Sequence, residues 1–327
     1  MNGLGSTFAS PLMQRALVEA VLAGALAGVV GVHVVLRRLS FFTMSLTHAT
    51  FPGLVLAGMI GVSLFTGTAV FGLLVVLLIA GLTRVRTLDS STATGVVLAG
   101  GFALGVVLIS SQPGFTKDLT GFLVGSILTV QPSDILVTAI VGTLVLVTLA
   151  VLHKELVFGA FDPAGFAAMG YRVLILDLVL LIAIEITVVA VVPAVGTILA
   201  VALIVAPAAS ARLWTDRIGA SMALAAAVGA LGGAVGLGAS SRWDVAAGPS
   251  IAVVVSAVFA ISLVLSPRHG WLGRRRAGRS SSPHLAFRSI EHPTTTSGTN
   301  WSRVEDHDGH RLREKIWITI RRQTPMA

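Results

Sequence analysis

The chain has no cysteine among its 327 residues. Disulfides, thiolate metal sites and iron–sulfur clusters are therefore excluded. Charge is scarce as well, at 12% of residues against about 25% in a typical soluble domain. Aromatics make up 6%, with a single tyrosine. What remains is apolar, with 54% hydrophobic residues and a mean hydropathy of +0.89. That balance excludes a water-soluble enzyme, a disordered chain and a coiled coil, and predicts an all-α, polytopic membrane helical bundle. There is no G-x-x-x-x-G-K-[ST] phosphate loop, no H-E-x-x-H and no G-x-S-x-G. The chain thus has no visible machinery for ATP or intramembrane hydrolysis, and no enzymatic activity of its own is expected.

The net charge of +8 does not signal a nucleic-acid partner. Residues 267–327 hold 12 Lys+Arg and 5 Asp+Glu, whereas residues 1–266 hold 11 and 10. The basic character therefore belongs to the tail. With its Arg274-Arg-Arg276 run and its Ser- and Thr-rich stretches, the tail reads as a cytoplasmic, disordered segment attracted to anionic lipid. Its cluster Glu305-Asp-His-Asp-Gly-His310 is read as a solvated charged stretch. No nucleic-acid partner and no permanently bound cofactor are expected.

About 20 apolar residues cross a bilayer core. Nine spans are predicted at residues 15–36, 41–62, 67–83, 93–110, 135–152, 173–192, 195–213, 219–238 and 249–266, which together make residues 1–266 one transmembrane domain. The glycine pairs Gly24/Gly28, Gly101/Gly105 and Gly232/Gly236 each sit four apart, the spacing of close helix–helix seams. Arg37, Arg38, Arg84, Arg86, Lys154, Arg172, Arg212 and Arg217 fall in one set of loops, and Arg15, Lys117 and Arg242 in the other. The richer set is placed in the cytoplasm, with the N-terminus outside. Gly121–Val130 is too short to span and suits an interfacial or re-entrant piece. Asp162 followed by Pro163 is a helix-start signal. A short helix from Pro163, ended by Gly170, would carry Phe166 and Met169 on one face.

Ionisable groups at membrane depth are costly and mark candidates for function. Four are singled out: His33, His48, Asp177 and Glu185. Asp177 lies near a span end, and His33 reads as a packed histidine. Glu185 lies deep in its span. His48 has the richest surroundings, since Met44 lies four residues before it on the same helix face. Thr43, Ser45, Thr47 and Thr50 add hydroxyls nearby, and Pro52-Gly53 loosens the backbone just beyond. An imidazole at such a place can ligate a divalent transition metal.

Leu36-Arg-Arg-Leu-Ser40 followed by Ser45-Leu-Thr-His-Ala-Thr-Phe-Pro-Gly53 resembles the signature of the permease subunits of zinc/manganese-type ABC importers, the ABC-3 family. Further matches follow in order. They are Gly125-Ser126 with Asp134, Lys154-Glu-Leu156 with Phe161-Asp-Pro163 and Gly170, Gly196 with Ala202-Leu-Ile-Val-Ala-Pro-Ala-Ala209 and Ala211-Arg212, and Ser240 with Asp244, Gly248 and Pro249. The resemblance spans nearly the whole apolar body.

It implies a multi-pass permease of a prokaryotic inner (plasma) membrane, with a fold like that of the type II ABC importers. Such a permease works as a homodimer with separate ATPase subunits and an extracytoplasmic metal-binding protein. It puts His48 on the metal path and the ATPase-docking element at Phe161, Asp162, Pro163 and Gly170. The family usually has Asp where this chain has Met44. A thioether disfavours Mn²⁺, which prefers oxygen ligands, so zinc is the expected cargo ahead of manganese or iron. Glu185 could supply the missing charge, making His48, Met44 and Glu185 the candidate metal ligands. The alternatives are a proton-coupled secondary transporter using Glu185, and an ABC permease for iron chelates or cobalamin-type ligands.

Overall fold

A computed structural model describes residues 10–84, 87, 89–111, 125 and 127–266. The chain divides into two compact units, residues 1–280 and 281–327. The second unit lies outside the described residues, as does the predicted tail from 267. Among the described residues the structure is helical throughout, with no strand.

Each of the nine predicted spans is helical in the structure. α1 (Pro11–Leu36) starts with Ser10 accepting the Met13 N–H at 3.3 Å, and with Pro11 in its first turn. The second apolar run is broken into α2 (Ser40–Ala49) and α3 (Phe51–Ile60). Pro52 has no N–H to give back to His48, so the ladder cannot continue through it. α4 (Leu64–Leu82) is capped by Ser63 and α5 (Ser90–Ser110) by Asp89. The Ser91 hydroxyl and N–H hold the Asp89 carboxylate below its ordinary range. α6 (Pro132–Val151) opens with Asp134 accepting the Gln131 N–H at 2.9 Å. α7 (His153–Phe161) and α8 (Pro163–Ala168) are short and polar-flanked. α9 (Val173–Val195), α10 (Thr197–Trp214), α11 (Ile218–Trp243) and α12 (Ala247–Leu265) complete the bundle. Of the predicted re-entrant piece, the described part is one 3₁₀ turn, Ile127–Thr129, packed on α1 and α9.

By length and composition, eight of these nine apolar segments are able to cross a membrane on their own, with α2 and α3 counted together. The ninth, the apolar part of α10 at Leu199–Trp214, is shorter than the others. It packs beside α1 nonetheless: Gly31 abuts Ile204, and Val32 clusters with Ala208 and Ala211. Gly196, at φ +89, provides the reversal between α9 and α10 that only glycine adopts at no steric cost.

α1 is the hub, packing against α6, α9, α10 and α11. Its buried face is built from small residues: Ala16, Ala20, Ala23, Gly24, Ala27, Gly28 and Gly31. A Cβ on Gly24 would collide with the Gly229 carbonyl, and one on Gly28 with that of Ala225. The other two glycine seams are also real. Gly101 and Gly105 meet α2–α3 at Ala49 and Phe51, and Gly232 and Gly236 meet α12 at Val255 and Ile251. Backbone-to-backbone approach of this kind is how helices gain packing energy in lipid, where burial from water is absent. The periphery is the reverse. Leu136, Ile140, Leu144, Val147 and Val151 form one stripe on α6, each more than half exposed. Such a stripe would aggregate in water and is at home against acyl chains.

The helix ends sort the charges. Arg37, Arg38, Arg84, Lys154, Arg172, Arg212 and Arg217 follow or precede helices at one end, and Arg15 and Arg242 lie at the other. The first end is the cytoplasmic one by the distribution of Lys and Arg.

Candidate functional site

α2 presents its residues in two directions. Thr43, Ser45, Thr47 and Thr50 point inward and are buried. Their hydroxyls are spent on backbone carbonyls: Thr43 on Leu39 at 3.1 Å, Ser45 on Thr94 of α5 at 3.0 Å, Thr47 on Met44 at 2.8 Å and Thr50 on Leu46 at 2.8 Å. They fix the helix and its seam with α5 and offer nothing to a ligand.

Met44 and His48 face the other way, into a cavity of about 630 Å³. Its opposite walls are Val201, Ala202, Val205, Ala206 and Ala209 of α10, with Ser256 and Phe259 of α12. The His48 ring is held edge-on to Phe102 at 5.8 Å, and its Nδ1 has no hydrogen-bond partner. The small side chains of α10 give the cavity its width. Pro207 sits inside α10, one residue beyond Ala206, and its missing N–H leaves that helix a weak point beside the cavity. The site offers one imidazole and one thioether, with no acidic residue in its lining.

Glu185 is elsewhere. It lies on α9, 2% exposed, with its carboxyl pressed against Gly72 of α4. It lines a separate cavity of about 490 Å³ between α4, α6 and α9, whose other walls are apolar apart from Thr66. Neither carboxyl oxygen has a hydrogen-bond partner. The structure therefore joins His48 with Met44 and sets Glu185 apart from both. Among the described residues no three His, Cys, Asp or Glu side chains gather as a metal site.

The other ionisable groups at this depth lie outside the His48 cavity. Asp177, 42% exposed, pairs with Arg37. His33, 2% exposed, stands edge-on to His153 of α7 at 6.4 Å. Glu19 was absent from the sequence candidates, yet it is 1% exposed and accepts a hydrogen bond from Thr138 of α6 at 2.8 Å. Its position five residues into the first predicted span was the signal available.

At the cytoplasmic end, the sequence-predicted short helix is present as α8. Asp162 accepts the Gly165 N–H at 2.8 Å, Pro163 occupies the first turn, and Gly170, at φ +85, ends the motif. One expectation is corrected. Phe166 and Met169 do not share an outward face. Phe166 is buried, packed edge-on to Phe158 at 5.7 Å and stacked on Tyr171 at 4.7 Å. This aromatic stack turns Phe166 inward as the pin that holds α8 to α7. Phe161 at 67% and Met169 at 64% exposure are the apolar groups left facing out.

The described bundle thus carries a groove bearing one imidazole and one thioether, and an outward-facing apolar platform at its cytoplasmic end. Residues 9–266 match the model of the ABC 3 transport family. The chain is 34% identical over 82% of its length to the manganese transport system membrane protein MntC of Halalkalibacterium halodurans, covering 91% of that protein. It is 35% identical over 80% of its length to the manganese import system permease protein ScaB of Streptococcus gordonii, covering 94% of it. Among solved structures it is similar to PsaBC from Streptococcus pneumoniae in complex with Fab, at 32% identity and a TM-score of 0.76, over 83% of this chain and 98% of that one. An inward-facing structure of a metal-chelate type ABC transporter shares the fold at 19% identity and a TM-score of 0.62, over 76% of this chain and 84% of that one.

The chain belongs to the ABC 3 transport family. It is a membrane permease subunit of a metal ABC importer and a multi-pass protein of a bacterial membrane.

Proposed function

We propose that this permease carries Mn²⁺ across the membrane by alternating access, with the ion passing the His48–Met44 cavity. The observation that carries this reading is the pairing of that metal-compatible cavity with relatives named for manganese at up to 35% identity. The preference for zinc drawn from the sequence finds no counterpart in those relatives' names. A second cargo, Zn²⁺, is nonetheless favoured by one feature: the cavity holds an imidazole and a thioether and no carboxylate, a donor set that suits softer ions.

In this reading two copies of the chain pair in the membrane, and further donors complete the shell of an ion that His48 and Met44 alone leave under-coordinated. An extracytoplasmic binding protein delivers the ion at the outer end. An ABC ATPase subunit docks on Phe161, Asp162, Pro163, Met169 and Gly170, where exposed apolar groups stand on a capped, rigid turn. The sequence carries no nucleotide site of its own, which supports an external motor.

The test is ATP-dependent uptake into proteoliposomes holding the permease, its ATPase and its binding protein, with Mn²⁺ and Zn²⁺ in competition. Uptake of Mn²⁺ that Zn²⁺ at equal concentration suppresses completely would shift the cargo to zinc. Uptake unaffected by H48A would remove His48 from the path.

A further inference from the structure

The cytoplasmic end of α1 carries a contact that the proposed function does not use. Arg37 is the residue on which α1 ends. Its side chain is 12% exposed. One guanidinium nitrogen pairs with Asp177 of α9, and the other donates to the Leu156 carbonyl of α7 at 3.2 Å. A single planar group thus spans two helices that do not follow one another in the chain. The acceptor on α7 is a backbone carbonyl, so a displacement of that helix acts on Arg37 without a flexible side chain between them. Gly159 lies close against it, and a Cβ there would come within 3.1 Å of the guanidinium. His33, one helical turn earlier on α1, makes a second contact with α7 through His153.

On its other side, Arg37 is tied to the metal cavity by a short, hydrogen-bonded turn. Arg37 N–H donates to His33, Arg38 N–H to Val35 at 3.2 Å, and Leu39 N–H to Val34 at 2.8 Å. Arg38 adopts φ +58, a conformation costly for a side chain of its kind and held by those bonds. α2 starts at the next residue, Ser40, and bears Met44 and His48. Arg37 and Asp177 also line a cavity of about 310 Å³ together with Leu39 and Phe42, so the pair has room to shift.

We infer that Arg37 is the joint by which movement of the docking segment α7–α8 is passed to α2 and so to His48. It is a positioning residue: it touches no cargo and acts through the turn that follows it. This rests on the reading that an ATPase docks at α7–α8.

The experiment uses the full complex of permease, ATPase and binding protein. Lysine keeps the charge at position 37 but is a compact donor without the planar fork, so it cannot hold Asp177 and the Leu156 carbonyl as one rigid unit. R37K is expected to retain the ATPase and to hydrolyse ATP at about the wild-type rate, while Mn²⁺ moved per ATP falls by about tenfold, the equivalent of one lost charge-assisted hydrogen bond. D177N, which leaves the Leu156 contact in place, is expected to lower the same ratio by less. Because the chain has no cysteine, F41C takes an environment-sensitive fluorophore at that site alone, on the wall of the His48 cavity. ATP should change its signal in the otherwise native protein and leave it unchanged with R37K. An unaltered transport-to-hydrolysis ratio in R37K and D177N, or a parallel fall in both activities, overturns the joint. Retention of the ATPase by an F161A/M169A double variant removes the docking reading instead.

Discussion

Glu185 gives the most direct physical test of how this bundle is built. Its carboxyl is 2% exposed, and both oxygens lack a partner in an apolar wall. A buried polar group without a hydrogen bond costs about 1–3 kcal/mol. Methionine has nearly the same length and shape and no such cost, so E185M should stabilise the protein by about that amount. For a body of this size, each kcal/mol moves the midpoint by roughly 2–4 °C, so the expected rise is about 2–12 °C. E185Q keeps the shape and keeps a polar end, so its midpoint should lie close to the starting protein. The assay is thermal unfolding in detergent, followed by tryptophan fluorescence or by loss of the monodisperse peak on gel filtration. A midpoint for E185M below that of E185Q would refute the reasoning, because it would mean the carboxyl has a partner that holds the helices together. Uptake measured on the same variants then separates roles. A stabilised E185M that transports normally marks Glu185 as a tolerated burden, and one that no longer transports marks it as a carboxyl kept for function.

Three further outcomes are expected. T138V strips Glu19 of its hydrogen bond at 2.8 Å and should lower stability by about 1.5–3 kcal/mol in thermal unfolding, with T138S close to neutral. G28L drives a side chain into the Ala225 backbone. It should cost at least about 1–3 kcal/mol and reduce the yield of folded protein on gel filtration, whereas G100L, at a position with open space around it, should be tolerated. M44D places a hard oxygen donor one turn before His48 and should raise the ratio of Mn²⁺ to Zn²⁺ uptake by about tenfold or more in the competition assay.

Much of this was legible in the order of residues, because lipid imposes simple rules. Runs of about 20 apolar residues had to become helices, and the three glycine pairs four apart had to lie on one face each. All three proved to be points where backbones meet. Pro52-Gly53 signalled a loosened backbone, which the structure extends to a break between α2 and α3, and Asp162-Pro163 with Gly170 marked both ends of α8. What was not legible depended on direction around a helix axis and on partners far away in sequence. Glu185 was joined with His48 on chemical grounds, yet α9 turns it toward α4 and α6, away from the α10–α12 wall that His48 faces. The spacing of Phe166 and Met169 puts them on one face, but the aromatic stack with Phe158 and Tyr171 draws Phe166 inward and leaves Met169 out. The hydroxyls around His48 suggested a polar site, and each was instead absorbed by a carbonyl within reach. Glu19 was passed over although it lay inside a marked span, because nothing in its neighbourhood announced the distant Thr138.

The meeting of Gly24 with Gly229 has a consequence for how the protein is made. The two strips of small residues are separated by nearly the whole length of the apolar body, so α1 is made long before its counterpart α11. At about 5–20 residues per second, some 10–40 seconds pass between the synthesis of the two. Throughout that interval the Gly24 and Gly28 notches on the small-residue face of α1 lack the α11 backbone that fills them in the finished bundle. A nascent chain stalled before Ile218 would expose that face to whichever other small-residue helix drifts past. Quality control of this subunit is therefore expected to act on unfinished chains, through the uncovered small-residue face of α1.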